Sequence, residues 1–325
     1  RVLVDLNGVD AVLQRVFLRE RAPGQLALLA DRHEAGGELV RDGATHEILA
    51  RAVIDASGTW ATPNPLGGSG LAALGEAAHV HAIAYGIPDV QGRARARHAG
   101  RRTLVVGAGH SAASALLALA ELARTSPGTQ IAWAVRSPNL ARVFGGGAAD
   151  GLPARGQLGS DLARLCDSGA LEFVSGLHIT AIETAADGRL TVRGTSADGT
   201  AVVLEHVDEI VCATGQRPDL DLTRELRVAL DPALEPTAAL GPLIDPNLHS
   251  CGTVRPHGHR ELAHPEPGLY TVGVKSYGRA PTFLMLTGYE QARSVVAALA
   301  GDLAAAAKVE LELPQTGIYL SSLLT

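Results

Sequence analysis

The sequence predicts an α/β protein built on parallel sheet, one folding unit interrupting another, and three observations carry that prediction. Residues 103–136 read as a strand, a glycine turn, a helix and a second strand. Two further apolar runs, starting at Val53 and Glu209, each enter a turn of small residues, one on either side of that unit. Two sets of short alternating runs, over 25–55 and 178–206, each lead into one of those turns and are expected to form antiparallel meanders.

The central unit is the most informative. Thr103 to Val106 is a short apolar, β-branched run, and Gly107-Ala108-Gly109-His110-Ser111-Ala112 follows it without a spacer. That is the G-x-G-x-x-G/A order: Gly107 for the tight turn, Gly109 for close approach of a pyrophosphate, Ala112 for close packing of helix on strand. A helix over Ser111 to Arg124 would aim its free N–H groups and positive dipole end at the phosphates. The second strand, Ile131 to Arg136, ends on arginine rather than on an acid. An acid there would accept from a ribose 2′-hydroxyl and repel a 2′-phosphate, so the sequence favours NADPH over NADH.

Gly109-His-Ser111-Ala-Ala113 also resembles the G-x-S-x-G nucleophile elbow of serine hydrolases. The additional Gly107, alanine at 113 and a second strand some twenty residues on count against it. A strand–helix–strand unit that binds nothing is the third reading.

Composition narrows the class. A chain of 325 residues with 46% apolar and 19% charged content has room for two domains. A net charge of −6 offers no basic patch for nucleic acid. Apolar runs are broken by Gly, Arg or Glu before they reach bilayer length and no basic-then-apolar leader opens the chain, so a cytoplasmic protein without membrane contact is expected. Cys166, Cys212 and Cys251 are odd in number and far apart, giving neither a disulfide framework nor a C-x-x-C pair. Lys275 and Lys308 are the only lysines, which sets aside most lysine-based chemistry.

At the start, Val2 to Asp5 runs through Leu6 into Asn7-Gly8 rather than a glycine-rich phosphate turn, as expected of a piece from inside a longer protein. The first meander then feeds Val53-Ile-Asp-Ala-Ser-Gly-Thr-Trp-Ala-Thr-Pro-Asn-Pro65, where small residues would let the backbone approach a flat or phosphorylated ligand and Pro63 and Pro65 stop the strand. The same device returns as Glu209-Ile-Val-Cys-Ala-Thr-Gly-Gln-Arg-Pro218.

The ordered set Asp-Ala-Ser-Gly-Thr-Trp (55–60), Gly-Ala-Gly-His-Ser-Ala (107–112) and Ala-Thr-Gly-Gln-Arg-Pro (213–218) resembles the two-dinucleotide-binding flavoproteins. Within them it is most similar to the flavin-containing and Baeyer–Villiger monooxygenases. The resemblance implies a Rossmann-like NAD(P)H-binding domain inserted in a truncated FAD-binding domain, each with an antiparallel β-meander. It also implies FAD and NADPH as cofactors, with Ala56, Ser57, Gly58 and Thr59 at one crossing and Thr214 and Gly215 at the other. Trp60 and Asn64 are the candidates for groups facing the flavin.

Gly68-x-Gly70-x-x-Ala73 repeats the nucleotide pattern formally but follows a proline-rich turn, and is read as linker. Gly75-x-x-x-His79 keeps a monooxygenase fingerprint spacing, without that fingerprint's aromatics at Ala73 and Ile83, and His79 is read as an exposed linker histidine. Phe144 to Pro153 is a glycine-rich loop flanked by Arg142 and Arg155, which either extend the phosphate clamp or are solvated. A helix is expected over 157–167 and a strand over 171–174, then strands at His178–Thr184, Arg189–Arg193 and Ala201–His206.

From Asp221 to Pro246 loop with short helical turns is expected. His249, Cys251, His257, His259 and His264 match no standard zinc spacing, so no metal is expected. Gly268 to Lys275 reads as the last strand and resembles the family's final FAD-contacting strand through Gly273, although Val274 stands where the disulfide-reductase branch has an Asp. Pro281 to Ala300 reads as a helix with Pro281 and Thr282 in its first turn, its N-terminus available to the flavin.

The resulting expectation has four parts: 1–65 the end of a first FAD segment, 66–98 a linker, 99–218 the NADPH domain and 219–325 the return to the FAD domain. The implied enzyme is an FAD-dependent, NADPH-using oxidoreductase of monooxygenase type, acting on a small-molecule substrate or electron acceptor, and compatible with a homodimer. Beside it stand a reductase of the pyridine-nucleotide-disulfide type acting on an external acceptor, a non-catalytic NADPH module and a serine hydrolase using Ser111.

Overall fold

The computed structural model describes residues 2–4, 27–31, 34–41, 44–137, 141–145, 153–249 and 254–311. Within these it divides into two compact units. One spans 63–215; the other is formed by residues up to Thr62 and from Gln216 onward.

The outer unit opens with strands β1 (Val2–Val4), β2 (Ala27–Asp31), β3 (Glu34–Arg41), β4 (Ala44–Ala50) and β5 (Val53–Asp55). Strands β2, β3 and β4 pair antiparallel in chain order.

The inner unit contains β6 (Ile83–Tyr85), α1 (Arg95–His98), β7 (Arg102–Val106), α2 (His110–Thr125), β8 (Gln130–Ala134), α3 (Ala141–Phe144), α4 (Pro153–Asp167) and β9 (Glu172–Val174). It continues with β10 (His178–Thr184), β11 (Leu190–Thr195), β12 (Ala201–Val207) and β13 (Glu209–Cys212). A five-stranded parallel sheet has the order β6-β13-β7-β8-β9. Its central strands β13, β7 and β8 are buried along most of their length, as a covered parallel sheet requires. Val105, Ile131, Trp133 and Val211 pack with helix residues Ala112, Leu116, Leu119 and Leu162. Leu104, Val106, Ala132, Ala134 and Ile210 face the other way, onto Ile179, Ile182, Val192 and Leu204 of the antiparallel β10-β11-β12 sheet.

Helix α2 forms because alanine and leucine recur at helical spacing: Ala112, Ala115, Leu116, Leu119 and Leu122 are all buried. It stops at Thr125, where Ser126 leaves helical geometry and Pro127 and Gly128 follow, Gly128 at φ +85°.

The chain re-enters the outer unit through α5 (Gly241–Ile244), α6 (His259–Leu262), β14 (Leu269–Thr271), α7 (Met285–Leu299) and α8 (Leu303–Ala307). Strand β5 lies between β1, antiparallel to it, and β14, parallel to it. Ile54, Leu240, Ile244, Val272, Tyr277 and Val295 form the core there.

Several boundaries depart from the sequence reading: α4 begins at Pro153 rather than at 157, β8 ends at Ala134 rather than at Arg136, and two more lie near the C-terminal end. The last strand ends at Thr271 rather than Lys275, because Gly273 adopts φ +72° and turns the chain into a 3-10 helix over Gly273–Tyr277. The final helix begins at Met285, with extended Leu284 as its cap, so Pro281 and Thr282 precede its first turn. Thr282 is instead buried, donating to the Ile244 carbonyl at 3.4 Å. The middle of the glycine-rich loop (146–152), the Arg142 side chain and Cys251 lie outside the described residues. Among the described residues no helix is long and apolar enough to cross a membrane.

Candidate functional site

In the inner unit Gly107 directly follows β7 at φ +135°, and a Cβ there would fall 2.2 Å from the Ala213 carbonyl oxygen. Only glycine fits. Its N–H donates to the Ala134 carbonyl at 3.1 Å, and its own carbonyl accepts from Trp133 Nε1 at 2.8 Å. Trp133 is fully buried with Phe173 4.9 Å away, so the turn is held by a packed indole whose N–H has found its partner.

Gly109 has different reasons. It caps α2 with an extended backbone (φ −102°, ψ 178°), and a Cβ built on it would meet nothing within 4 Å. Neither backbone conformation nor packing requires glycine, and the space beside it lies at a helix N-terminus with no acid in the first turn. Open space and an acid-free helix N-terminus suit an anion such as a pyrophosphate. His110 and Ser111 are the first two residues of α2, His110 exposed and Ser111 half-buried, while Ala112 is buried against the sheet. Ser111 is therefore helical, and among the described residues only His206 and Glu235 combine a side chain with positive φ. The strained elbow that a serine nucleophile needs is not formed.

Arg136 lies two residues beyond β8, exposed, and Nη1 donates to the Gly68 carbonyl at 3.1 Å. Gly68 belongs to a loop laced along β10: Gly68 N–H donates to Ile179 O at 2.9 Å, Leu74 N–H to Thr180 O at 2.9 Å, and Ile182 N–H to Leu74 O at 2.8 Å. The buried Glu76 carboxylate gathers that loop, accepting from Leu66 N–H at 3.0 Å, Ala73 N–H at 2.8 Å and the Tyr85 hydroxyl at 2.8 Å. Burial and the bond to Glu76 push the Tyr85 phenol well above its usual range. His79 is a tether: its ring joins Gly75 O at 2.7 Å and Thr184 Oγ1 at 2.8 Å.

Asn64 is stitched to the second small-residue turn. Its N–H donates to Gly215 O at 2.9 Å, its side-chain Nδ2 to Thr214 O at 3.1 Å, and Thr214 Oγ1 donates back to Asn64 O at 2.9 Å. Gly215 has φ +90°. Burial pushes the neighbouring Cys212 thiol up to about 11, so it is not a reactive thiolate at neutral pH.

In the outer unit Ala56, Ser57, Gly58 and Thr59 follow β5, with Gly58 at φ +79° and Trp60 72% exposed. Thr59 Oγ1 donates to Gln216 Oε1 at 3.1 Å. Asp55 accepts on Oδ1 from Ser57 N–H at 3.0 Å and Ser57 Oγ at 2.7 Å. The Lys275 ammonium lies 2.6 Å from Asp55 Oδ2 and donates to Ser57 Oγ at 3.0 Å. Gly273 N–H donates to Gln291 Oε1 at 2.7 Å, and a Cβ on Gly273 would meet nothing within 4 Å. Pro281 is exposed beyond this turn. Two left-handed glycines, Gly58 in ordinary contact with Trp60 and Val274 and Gly273 with open space beside it, thus follow neighbouring strands.

Sequence reasoning missed Trp133, Glu76 and the Asp55–Lys275 pair. A tryptophan inside an otherwise aliphatic strand was the available signal for the first; the other two rest on contacts that no local pattern encodes. The histidines of 249–264 do not converge: His257 meets Gln291 Nε2 at 2.8 Å and His264 Nε2 meets Thr271 Oγ1 at 2.9 Å, and burial lowers the pKa of both.

No protein-family model and no curated protein matches this sequence. Solved structures do. The bacillithiol disulfide reductase of Bacillus cereus is similar with a TM-score of 0.55 at 17% identity, covering 78% of this chain. The FAD-bound cadaverine monooxygenase of Erwinia amylovora gives 0.58 at 13% identity over 90% of this chain and 72% of its own. The thioredoxin reductase of T. acidophilum gives 0.51 at 15% over 87% and 71%. The chain spans 63% of the length of the Bacillus cereus enzyme. It therefore has a mixed α/β fold similar to those of two reductases and an FAD-bound monooxygenase.

Proposed function

We propose that this chain is the larger part of an FAD-dependent, NADPH-using oxidoreductase of monooxygenase type, in which an NADPH-binding domain (99–218) interrupts an FAD-binding domain (1–65 and 219–325). The observation that carries the reading is Gly109: a glycine that neither its backbone conformation nor its neighbours require, at the open N-terminus of α2. Gly107, Gly109, His110, Ser111 and Ala112 would hold the NADPH pyrophosphate, and Arg136 its 2′-phosphate. Ala56, Ser57, Gly58, Thr59, Gly273, Pro281 and Thr282, all of the outer unit, would line the FAD. Trp60 stands as a group toward the flavin, and Asn64 holds Thr214 and Gly215 in place within the inner unit.

FAD, when bound, supplies the electron transfer, accepting hydride from NADPH and passing electrons to dioxygen and an organic substrate or to another acceptor. The protein binds, orients and screens. A disulfide-reductase outcome is disfavoured because the sequence has no cysteine pair and burial raises both described thiols, Cys166 and Cys212.

The test is the full-length chain supplied with FAD. It should retain flavin through gel filtration and oxidise NADPH faster than NADH with consumption of oxygen. A colourless protein that leaves NADPH untouched would overturn the proposal.

A further inference from the structure

We infer that the Asp55–Lys275 pair is a positioning device for the flavin, one that locks the two glycine turns of the cradle together while cancelling its own charge. The inference rests on the FAD reading above. Asp55 is the last residue of β5 and Lys275 lies two residues past Gly273; their side chains are 1% and 3% exposed and 2.6 Å apart. Ser57 closes a ring between them, donating to Asp55 Oδ1 at 2.7 Å and accepting from Lys275 Nζ at 3.0 Å. Val272 N–H donates to the Asp55 carbonyl at 2.9 Å, and Val274 Cγ1 is 3.9 Å from where a Gly58 Cβ would stand. The ring therefore fixes the turn at 56–59 against the turn at 273, and both glycines of those turns are left-handed.

The choice of residue is informative. A chain that uses arginine almost everywhere places one of its two lysines in this enclosed position. A compact ammonium can sit beneath a serine and a carboxylate, where a planar guanidinium would need more room. The other groups lining the adjoining recess add no net charge: Glu235 is paired with Arg217, and burial keeps His264 neutral. Removing either member of the pair therefore leaves one uncompensated buried charge beside the proposed flavin. A lone carboxylate disfavours the arrival of electrons and a lone ammonium favours it.

The experiment compares the full-length wild-type chain with Lys275→Met, Asp55→Asn and the double variant, each reconstituted with FAD. It reads flavin content per chain and the flavin midpoint potential against a reference dye. The expected result is a lower potential for Lys275→Met, a higher one for Asp55→Asn and a near-wild-type value for the double variant, with faster FAD loss in both single variants. Should Lys275→Met not fold, the upward shift in Asp55→Asn and its reversal in the double variant remain decisive. Shifts of the same sign, or none, in flavin-loaded variants would overturn the inference and leave the FAD reading intact. A wild-type chain that takes up no FAD would overturn both.

Discussion

Arg136 Nη1 donates to the carbonyl oxygen of Gly68, a contact across 68 positions of sequence that fixes an exposed guanidinium beside the end of β8. Charge-assisted contacts to a phosphate are worth about 1.5–3 kcal/mol, or roughly ten- to a hundredfold in affinity. Arg136→Ala should therefore weaken binding of 2′,5′-ADP by that factor and leave 5′-AMP unchanged, as calorimetric titration would read. Equal losses for both nucleotides would remove Arg136 from the 2′-phosphate. Glu76→Gln should lie between wild type and Arg136→Ala, because an amide presents N–H groups to the Leu66 and Ala73 donors and loosens the loop that carries Gly68.

The two glycines of the phosphate turn should separate stability from binding. Gly107→Ala places a Cβ 2.2 Å from Ala213 O at a positive φ, and is expected to cost on the order of 3 kcal/mol or more of stability. Gly109→Ala meets nothing and has an ordinary φ, so its melting temperature should match wild type while nucleotide binding falls at least tenfold. Thermal melts beside NADPH titrations check both, and a Gly109→Ala protein that binds NADPH normally would contradict the site.

Trp133→Phe keeps an aromatic ring in the core but removes the donor to the Gly107 carbonyl. The loss of one hydrogen bond to a buried acceptor corresponds to about 1–2 kcal/mol, a fall in melting temperature of roughly 2–6 °C. NADPH binding should weaken as well, since the turn loses a clamp. A melting temperature equal to wild type would mean that water replaces the indole.

The strand, glycine turn and helix around Gly107 were legible because each residue there obeys a local steric rule. The clamps were not. Trp133 meets Gly107 across 26 positions, and Asn64 meets Thr214 across 150. Lys275 meets Ser57 across 218. Such partners are chosen by the tertiary fold, which is also why two lysines in the whole sequence suggested that lysine could be set aside. The strand ending at Thr271 was overextended because apolar residues continue through Val274, and only the φ of Gly273 shows where the strand stops.

Ser111 provides a direct exclusion. Held within α2 and without an elbow, its hydroxyl should not react with a fluorophosphonate probe. Covalent labelling at Ser111, read by peptide mass spectrometry, would reopen the hydrolase reading.

His98 should give the inner unit a measurable acid sensitivity. The side chain is fully buried at the end of α1, with Nδ1 joined to Thr103 Oγ1 at 2.9 Å and Nε2 lacking a hydrogen-bond partner. Burial, then the charges of Arg97 and Arg101, lower its pKa to about 4. In the unfolded chain it titrates near 6.5, so between these values the unfolded state binds more protons and stability falls as pH drops. At and above about pH 7.5 the imidazole is neutral in both states and contributes no pH dependence. By about pH 4 the accumulated loss is on the order of 2–3 kcal/mol. His98→Phe preserves ring volume and cannot be protonated, so its stability should be flatter over this window and exceed wild type most at the acid end. Urea midpoints at roughly pH 5 and 7.5 test this, since only the wild type should lose stability from His98 protonation on moving to the lower value. Equal slopes for the two proteins would assign the acid sensitivity to other groups.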